Sequence, residues 1–167
     1  MGKFKLPVVS EGVTLTEIPK HLAVYFEIGN CTLHCKGCHS KHLWDSMKGD
    51  CTDSLDDIMY YIDRYYETGA NAILFMGGLR SSNVPPLKFI TCILRPLYEK
   101  GYDIGLYDGG EWDGWIEKAS RYCKWVKVGP YIEKLGGLDN STTNQRFYEK
   151  IDGKFVDKTA DYFQKGE

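Results

Sequence analysis

Four short runs of β-forming residues alternate with stretches of helical periodicity, and this alternation restricts the architecture of the chain more than any other feature. The runs are HLAVYFEI (21–28) before Gly29, AILFMGG (72–78), YDIGLYDGG (102–110) and KWVKVG (124–129). In SLDDIMYYIDRYYETG (54–69), Leu55, Ile58, Met59, Ile62 and Tyr65 recur at helical spacing. Thr52 or Asp53 is the expected N-cap, Gly69 the stop, and the tyrosines read as a core stripe. A second helix is expected from about Pro86 to Lys100, with Pro96 kinking it or ending it early. WDGWIEKASRYC (112–123) forms a third, which Glu111, Trp112 and Asp113 start.

Strand followed by helix, repeated in this way, predicts a parallel sheet with crossover helices. A complete eightfold barrel takes roughly 250 residues, so at 167 residues an α/β chain forms an open sheet or a partial (β/α) barrel. RFYEKIDGKFVDKT (146–159) alternates around Asp152 and Gly153, the signature of a tight turn, and reads as an appended C-terminal β-hairpin. No repeat, linker or low-complexity tract divides the chain. A single domain is expected over 1–167, with its core at about 21–130 and a C-terminal extension at about 131–167. Ligands of parallel sheets bind at the C-terminal strand ends. Gly29–Cys38, Gly77–Gly78, Asp108–Gly110 and Gly129–Pro130 therefore converge on the functional edge.

Lysine and arginine number 21 against 23 acidic residues. The near-balance offers no bulk attraction to nucleic acid or an anionic membrane, so direct binding to either is not expected. No apolar run approaches the roughly 20 residues of a membrane span. MGKFKLPVVSEGV lacks the apolar core of a signal peptide, and Leu6 breaks the myristoylation pattern that Gly2 begins. A cytoplasmic protein is the expectation. In a reducing compartment the six cysteines serve as metal ligands, catalytic groups or small hydrophobes. Cys51, Cys92 and Cys123 stand apart and read as packing residues.

The other three lie together in GNCTLHCKGCHSKHLWD (29–45), where Cys31, Cys35 and Cys38 are spaced by three and two residues. Gly29 and Gly37 permit the curvature needed to wrap three sulfurs around one compact object. Two readings follow. A zinc knuckle would take a fourth ligand from His34, His39, His42 or Cys51. A cubane iron–sulfur cluster held by three thiolates would keep one iron open for a small molecule. Position directly after a buried strand favours the cluster, because structural zinc usually staples small modules that lack a core.

This spacing resembles the signature of radical S-adenosylmethionine enzymes. The fuller string GNCTLHCKGCHSKHLW is similar to that of the activating component of anaerobic class III ribonucleotide reductase. WVKVGPYIEKLGGLDNSTTNQRF resembles the same family's C-terminal pattern, including Thr143 to Arg146, and GLYDGG matches its third-strand end. The resemblance spans about residues 21 to 148. It implies a radical S-adenosylmethionine fold in which Cys31, Cys35 and Cys38 hold a 4Fe-4S cluster. It places Gly37, Cys38, His39, Gly77 and Gly78 at S-adenosylmethionine. The implied reaction is reductive cleavage of S-adenosylmethionine to a 5′-deoxyadenosyl radical, which takes hydrogen from a glycine of the large reductase subunit. Flavodoxin or ferredoxin is the implied electron donor. Other glycyl radical activases often carry a ferredoxin-like insert whose additional cysteine groups this chain lacks.

One position departs from the pattern. Radical S-adenosylmethionine proteins usually end the second strand with Gly-Gly-Glu or Gly-Gly-Asp, the acid helping to hold the cofactor's amino group. Here the strand ends FMGGLRSS, with Leu79 at the acidic position. The Gly-Gly carbonyls, Ser81 and Ser82 are the alternative contacts, and a neutral contact is expected to bind more weakly than a charged one. His34 and His42 read as loop residues and Trp44 as an apolar cover. Asn144, Gln145 and Arg146 either contact the reductase or brace the cluster loop.

Overall fold

The computed structural model describes residues 6–29, 52–77, 79 and 85–164. Its strands are β1 (Leu6–Thr14), β2 (Ala23–Ile28), β3 (Thr52–Asp53), β4 (Ala72–Gly77), β5 (Ile104–Tyr107), β6 (Trp125–Val128), β7 (Arg146–Ile151) and β8 (Lys154–Asp157). They form one sheet in the order β3-β1-β2-β4-β5-β6-β7-β8. The four expected strands β2, β4, β5 and β6 are its parallel centre. Antiparallel β1 and β7 flank them.

Alternation along the strands divides the core. Val24, Phe26, Ile28, Ile73, Phe75, Ile104, Leu106, Val126 and Val128 face one cluster, while Ala23, Ala72, Leu74, Tyr107 and Trp125 face another. The first cluster is completed by residues of α1 (Leu55–Tyr66), α2 (Pro86–Phe89), the π-helical turn Ile90–Leu94, α3 (Arg95–Glu99) and α4 (Gly114–Ser120). All three crossover connections therefore pack on one face, as in a partial barrel. The second face is closed by Ile18, Leu138 and the aromatic rings of α5 (Thr159–Phe163). Gly105 makes room for Ile18, since a Cβ there would lie 2.9 Å from the Ile18 Cδ1 atom.

Several details differ from the sequence reading. Ser54, rather than Thr52 or Asp53, caps α1, in a capping box with Asp57. Thr52 and Asp53 instead pair with β1. Of the α1 stripe, Ile58 and Ile62 are fully buried and Leu55, Met59 and Tyr65 pack partly buried against the core, whereas Tyr60, off the stripe, is exposed. Gly69 ends the helical turn with φ 110°, as expected. Pro96 neither ends nor shortens the second crossover. The π-helical turn precedes it, with the Arg95 N–H bonded to the carbonyl of Ile90, and the widened turn relieves the clash between a proline ring and the carbonyl four residues earlier. Asp113 caps α4, its side chain accepting from the Ile116 N–H at 3.1 Å.

At the C-terminal hairpin, Asp152 (φ 51°) and Gly153 (φ 81°) form the two-residue turn, with Ile151 paired to Lys154. Positive φ at both positions marks the primed turn that matches strand twist. The hairpin is no separate appendage, because β7 continues the main sheet through its pairing with β6.

Candidate functional site at the C-terminal strand ends

The parallel strands deliver four loops to one edge. Gly29 follows β2, buried and with its N–H donated to the Pro7 carbonyl at 2.8 Å. Cys31 lies two residues further along the chain. Cys31, Cys35, Cys38, Gly37, His39 and Gly78 fall outside the described residues, as do His34, His42, Trp44, Ser81 and Ser82. Gly77 ends β4 with φ 108° and is paired in register with Ile28. Its positive φ is natural for glycine and strained for other residues.

The third and fourth loops are tied together. The Asp108 N–H donates to the Lys127 carbonyl at 2.8 Å, and the Gly129 N–H donates to the Gly110 carbonyl at 2.8 Å. Asp108 is buried, and its Oδ2 atom accepts the Gly110 N–H at 2.8 Å. Gly129 has φ 107°, and a Cβ there would stand 3.1 Å from the Gln145 Cα. The Thr143–Arg146 string packs on this turn. Asn144 Nδ2 donates to the Pro130 carbonyl at 3.0 Å, and Gln145 Nε2 donates to the Gly129 carbonyl at 3.3 Å. Thr143 Oγ1 accepts the Gln145 N–H at 3.0 Å and donates to the Gly136 carbonyl at 3.0 Å. Asn144 and Gln145 thus brace the end of β6.

Leu79 is fully buried and belongs to the core beneath the crossover helices. It is a packing residue, held on the helix side of the sheet.

Strand alternation places a different row on the face opposite the crossover helices. Glu27 pairs with Met76, Tyr107 pairs with Lys127, and extending the β4–β5 register by one residue sets Met76 beside Tyr107. Their strand neighbours Phe26, Ile28, Phe75, Leu106, Val126 and Val128 all face the helix side. Glu27 Oε1 accepts from Ser10 Oγ at 2.7 Å. The Lys127 ammonium lies 4.9 Å from the Tyr107 ring centroid. Burial, followed by the nearby Glu17, raises the Tyr107 hydroxyl well above its ordinary range, and that hydroxyl donates to the Glu17 carbonyl. Burial also raises Tyr25, with the charges of Glu27 and Glu11 adding to the effect. The sequence reading missed this row because HLAVYFEI reads as a uniformly buried run. The available signal was the period of two, which sets Glu27 opposite Phe26 and Ile28.

A scan against protein families matches residues 20–164 to the 4Fe-4S single cluster domain. The chain belongs to that family. A search of curated proteins finds no match. Among solved structures, the chain is similar to the crystal structure of QueE from Escherichia coli, with 15% identity and a TM-score of 0.53 over 89% of this chain. The match spans 65% of the QueE chain, and at this identity it speaks to fold alone. The fold is an open mixed α/β arrangement that matches the fold of QueE.

The donor chemistry of this 4Fe-4S single cluster domain protein fits its family. Among the described residues, no group of three or more His, Cys, Asp or Glu is arranged to hold a metal. Cys123 is buried in the core, its Sγ donating to the Ala119 carbonyl at 3.4 Å, and burial pushes its thiol up to about 12. Cys92 sits in the π-helical turn and is partly buried. Neither of these two cysteines is grouped with other ligands, and Cys51, like Cys31, Cys35 and Cys38, falls outside the described residues.

Proposed function

We propose that this protein is the glycyl-radical activase of an anaerobic ribonucleotide reductase, acting on a glycine of the large subunit. The observation that carries the reading is membership of the 4Fe-4S single cluster domain family over residues 20–164, a span holding one tight cysteine triplet. Cys31, Cys35 and Cys38 would hold the cluster, with Gly37, His39, Gly77 and Gly78 beside S-adenosylmethionine. Bound there, the cluster and S-adenosylmethionine would supply one-electron reductive cleavage of the sulfonium's carbon–sulfur bond, the electron coming from the reductant, and with it the chemistry needed to remove a hydrogen atom from the glycine Cα.

The protein's own contribution is to bind, orient and exclude water. Gly77 permits close approach of its backbone, while Asn144 and Gln145 keep the Gly129–Pro130 turn fixed. Support for the finer assignment comes from the resemblance of GNCTLHCKGCHSKHLW and TNQR to that activase family. Flavodoxin or ferredoxin is the proposed reductant. Among the described residues no helix is long and apolar enough to cross a membrane.

The test is anaerobic. Reconstituted protein should be brown, with about four irons per chain. With reductant, S-adenosylmethionine and the candidate reductase, it should yield 5′-deoxyadenosine and a glycyl radical visible by electron paramagnetic resonance. A colourless, air-stable zinc protein overturns the cluster. Formation of 5′-deoxyadenosine with no radical on the reductase overturns the partner.

A further inference from the structure

The N-terminal strand ends, at the sheet edge opposite the loops described above, carry a cavity of about 290 Å³. It opens where β5 and β6 begin, between the residues that close α3, the chain leaving α4 and the β7–β8 hairpin. A volume of this size admits one small molecule. Its lining combines three aromatic rings, Tyr98, Tyr102 and Tyr122, with the charged groups of Asp103, Lys124 and Lys150.

Tyr98 and Tyr122 stand edge to face with ring centroids 5.5 Å apart, and Tyr102 is held edge-on against Tyr66 at 5.2 Å. Packing thus fixes the rings, while none of the three hydroxyls bonds to another described residue. Aromatic walls with unpaired hydroxyls favour a planar guest that carries polar substituents.

The charges favour an anion. Asp103 and Lys124 oppose each other at 3.8 Å and offset one another, which leaves Lys150 as the excess charge. Its ammonium donates to the Ser120 carbonyl at 3.0 Å and to the Arg121 carbonyl at 3.2 Å, so one of its N–H groups remains for a ligand. Those carbonyls anchor the ammonium in the wall without bringing a full negative charge to it. Cys123 adds none either, because burial keeps its thiol protonated. Burial also lowers Lys150 from the ordinary lysine value, and an anion beside it would restore the charged form.

We propose that this cavity binds a small aromatic carboxylate, its ring against the tyrosines and its carboxylate on the Lys150 ammonium. Because it opens on the opposite sheet edge, it is a second site, and it does not depend on the activase reading.

The experiment uses the whole chain, anaerobically reconstituted, with 4-hydroxybenzoate as the probe and equilibrium dialysis as the measurement. 4-Hydroxybenzyl alcohol is the uncharged analogue, and acetate is the anion without a ring. 4-Hydroxybenzoate should bind with a Kd of about 1 mM or below. Both controls should bind about 10-fold more weakly or worse. Lys150→Met should weaken the probe by about 10-fold, and Tyr98→Leu by about threefold to 10-fold. Lys150 also ties down the end of α4, so a measurement on the unmutated protein accompanies the variants. The probe should slow acetylation of Lys150 by acetic anhydride, as read by mass spectrometry, and leave that of exposed Lys118 unchanged. No binding of 4-hydroxybenzoate at about 10 mM, equal binding of either control, or binding that leaves Lys150 unprotected overturns the site.

Discussion

Placing a glutamate at position 79 should destabilise this protein. In Leu79→Glu, the lost burial of a leucine side chain costs about 2 kcal/mol. A carboxyl group left without partners in the surrounding core adds about 1–3 kcal/mol. The protonated variant should therefore be about 3–5 kcal/mol less stable than wild type, a large share of the roughly 5–15 kcal/mol of an ordinary domain. The surroundings support this magnitude, because Leu79 is fully buried in a cluster with Phe75, Phe89 and Ile28.

The deficit should also depend on pH. Burial raises the introduced carboxyl's pKa in the folded state above the unfolded value of about 4.3. The folded state then holds the proton more tightly, so the deficit is smallest below about pH 4. It grows by up to about 1.4 kcal/mol per pH unit until the folded pKa is passed. Urea unfolding of wild type and variant, followed by circular dichroism between pH 4.5 and 8, measures the difference. Leu79→Met, which conserves volume, should stay within about 1.5 kcal/mol. A Leu79→Glu deficit below 1 kcal/mol and flat with pH would refute the core placement, as would tighter S-adenosylmethionine binding.

Three other substitutions test the remaining structure. Alanine at Cys31, Cys35 or Cys38 should abolish iron retention and visible colour after reconstitution, while Cys92→Ala and Cys123→Ala should keep about four irons per chain. With its thiol pushed up to about 12, Cys123 should resist iodoacetamide at pH 8 in the folded protein and react once urea unfolds it, as read by mass spectrometry. Gly129→Ala should cost about 1–3 kcal/mol in urea unfolding, because φ 107° and the Gln145 Cα at 3.1 Å leave no place for a Cβ.

Legibility followed the range of the interactions. The centre of the sheet was readable because AVYFEI and AILFMG are nearly continuous apolar runs, as expected for parallel strands buried on both faces. The Asp152–Gly153 turn was readable because its conformation is local. By contrast, β1 carries Ser10, Glu11 and Gly12 in its middle and has a register irregularity between Val8 and Ser10. Pairing with β2 and β3 makes it a strand. The cap of α1 falls one residue beyond Asp53 and two beyond Thr52, at Ser54, because pairing to β1 claims the backbone of Thr52 and Asp53.

By itself, the sequence determined the strand–helix alternation, the position of the cysteine triplet after the first parallel strand, and the glycine positions along one edge. These depend on local periodicity and chain order. The tertiary structure alone decided that Leu79 belongs to the core, that Asn144 and Gln145 clasp the Gly129–Pro130 turn, and that Glu27 shares a face with Met76, Tyr107 and Lys127. Each depends on which face of a sheet a side chain meets. That is fixed by pairing between strands distant in sequence, where a shift of one residue would reverse every side chain.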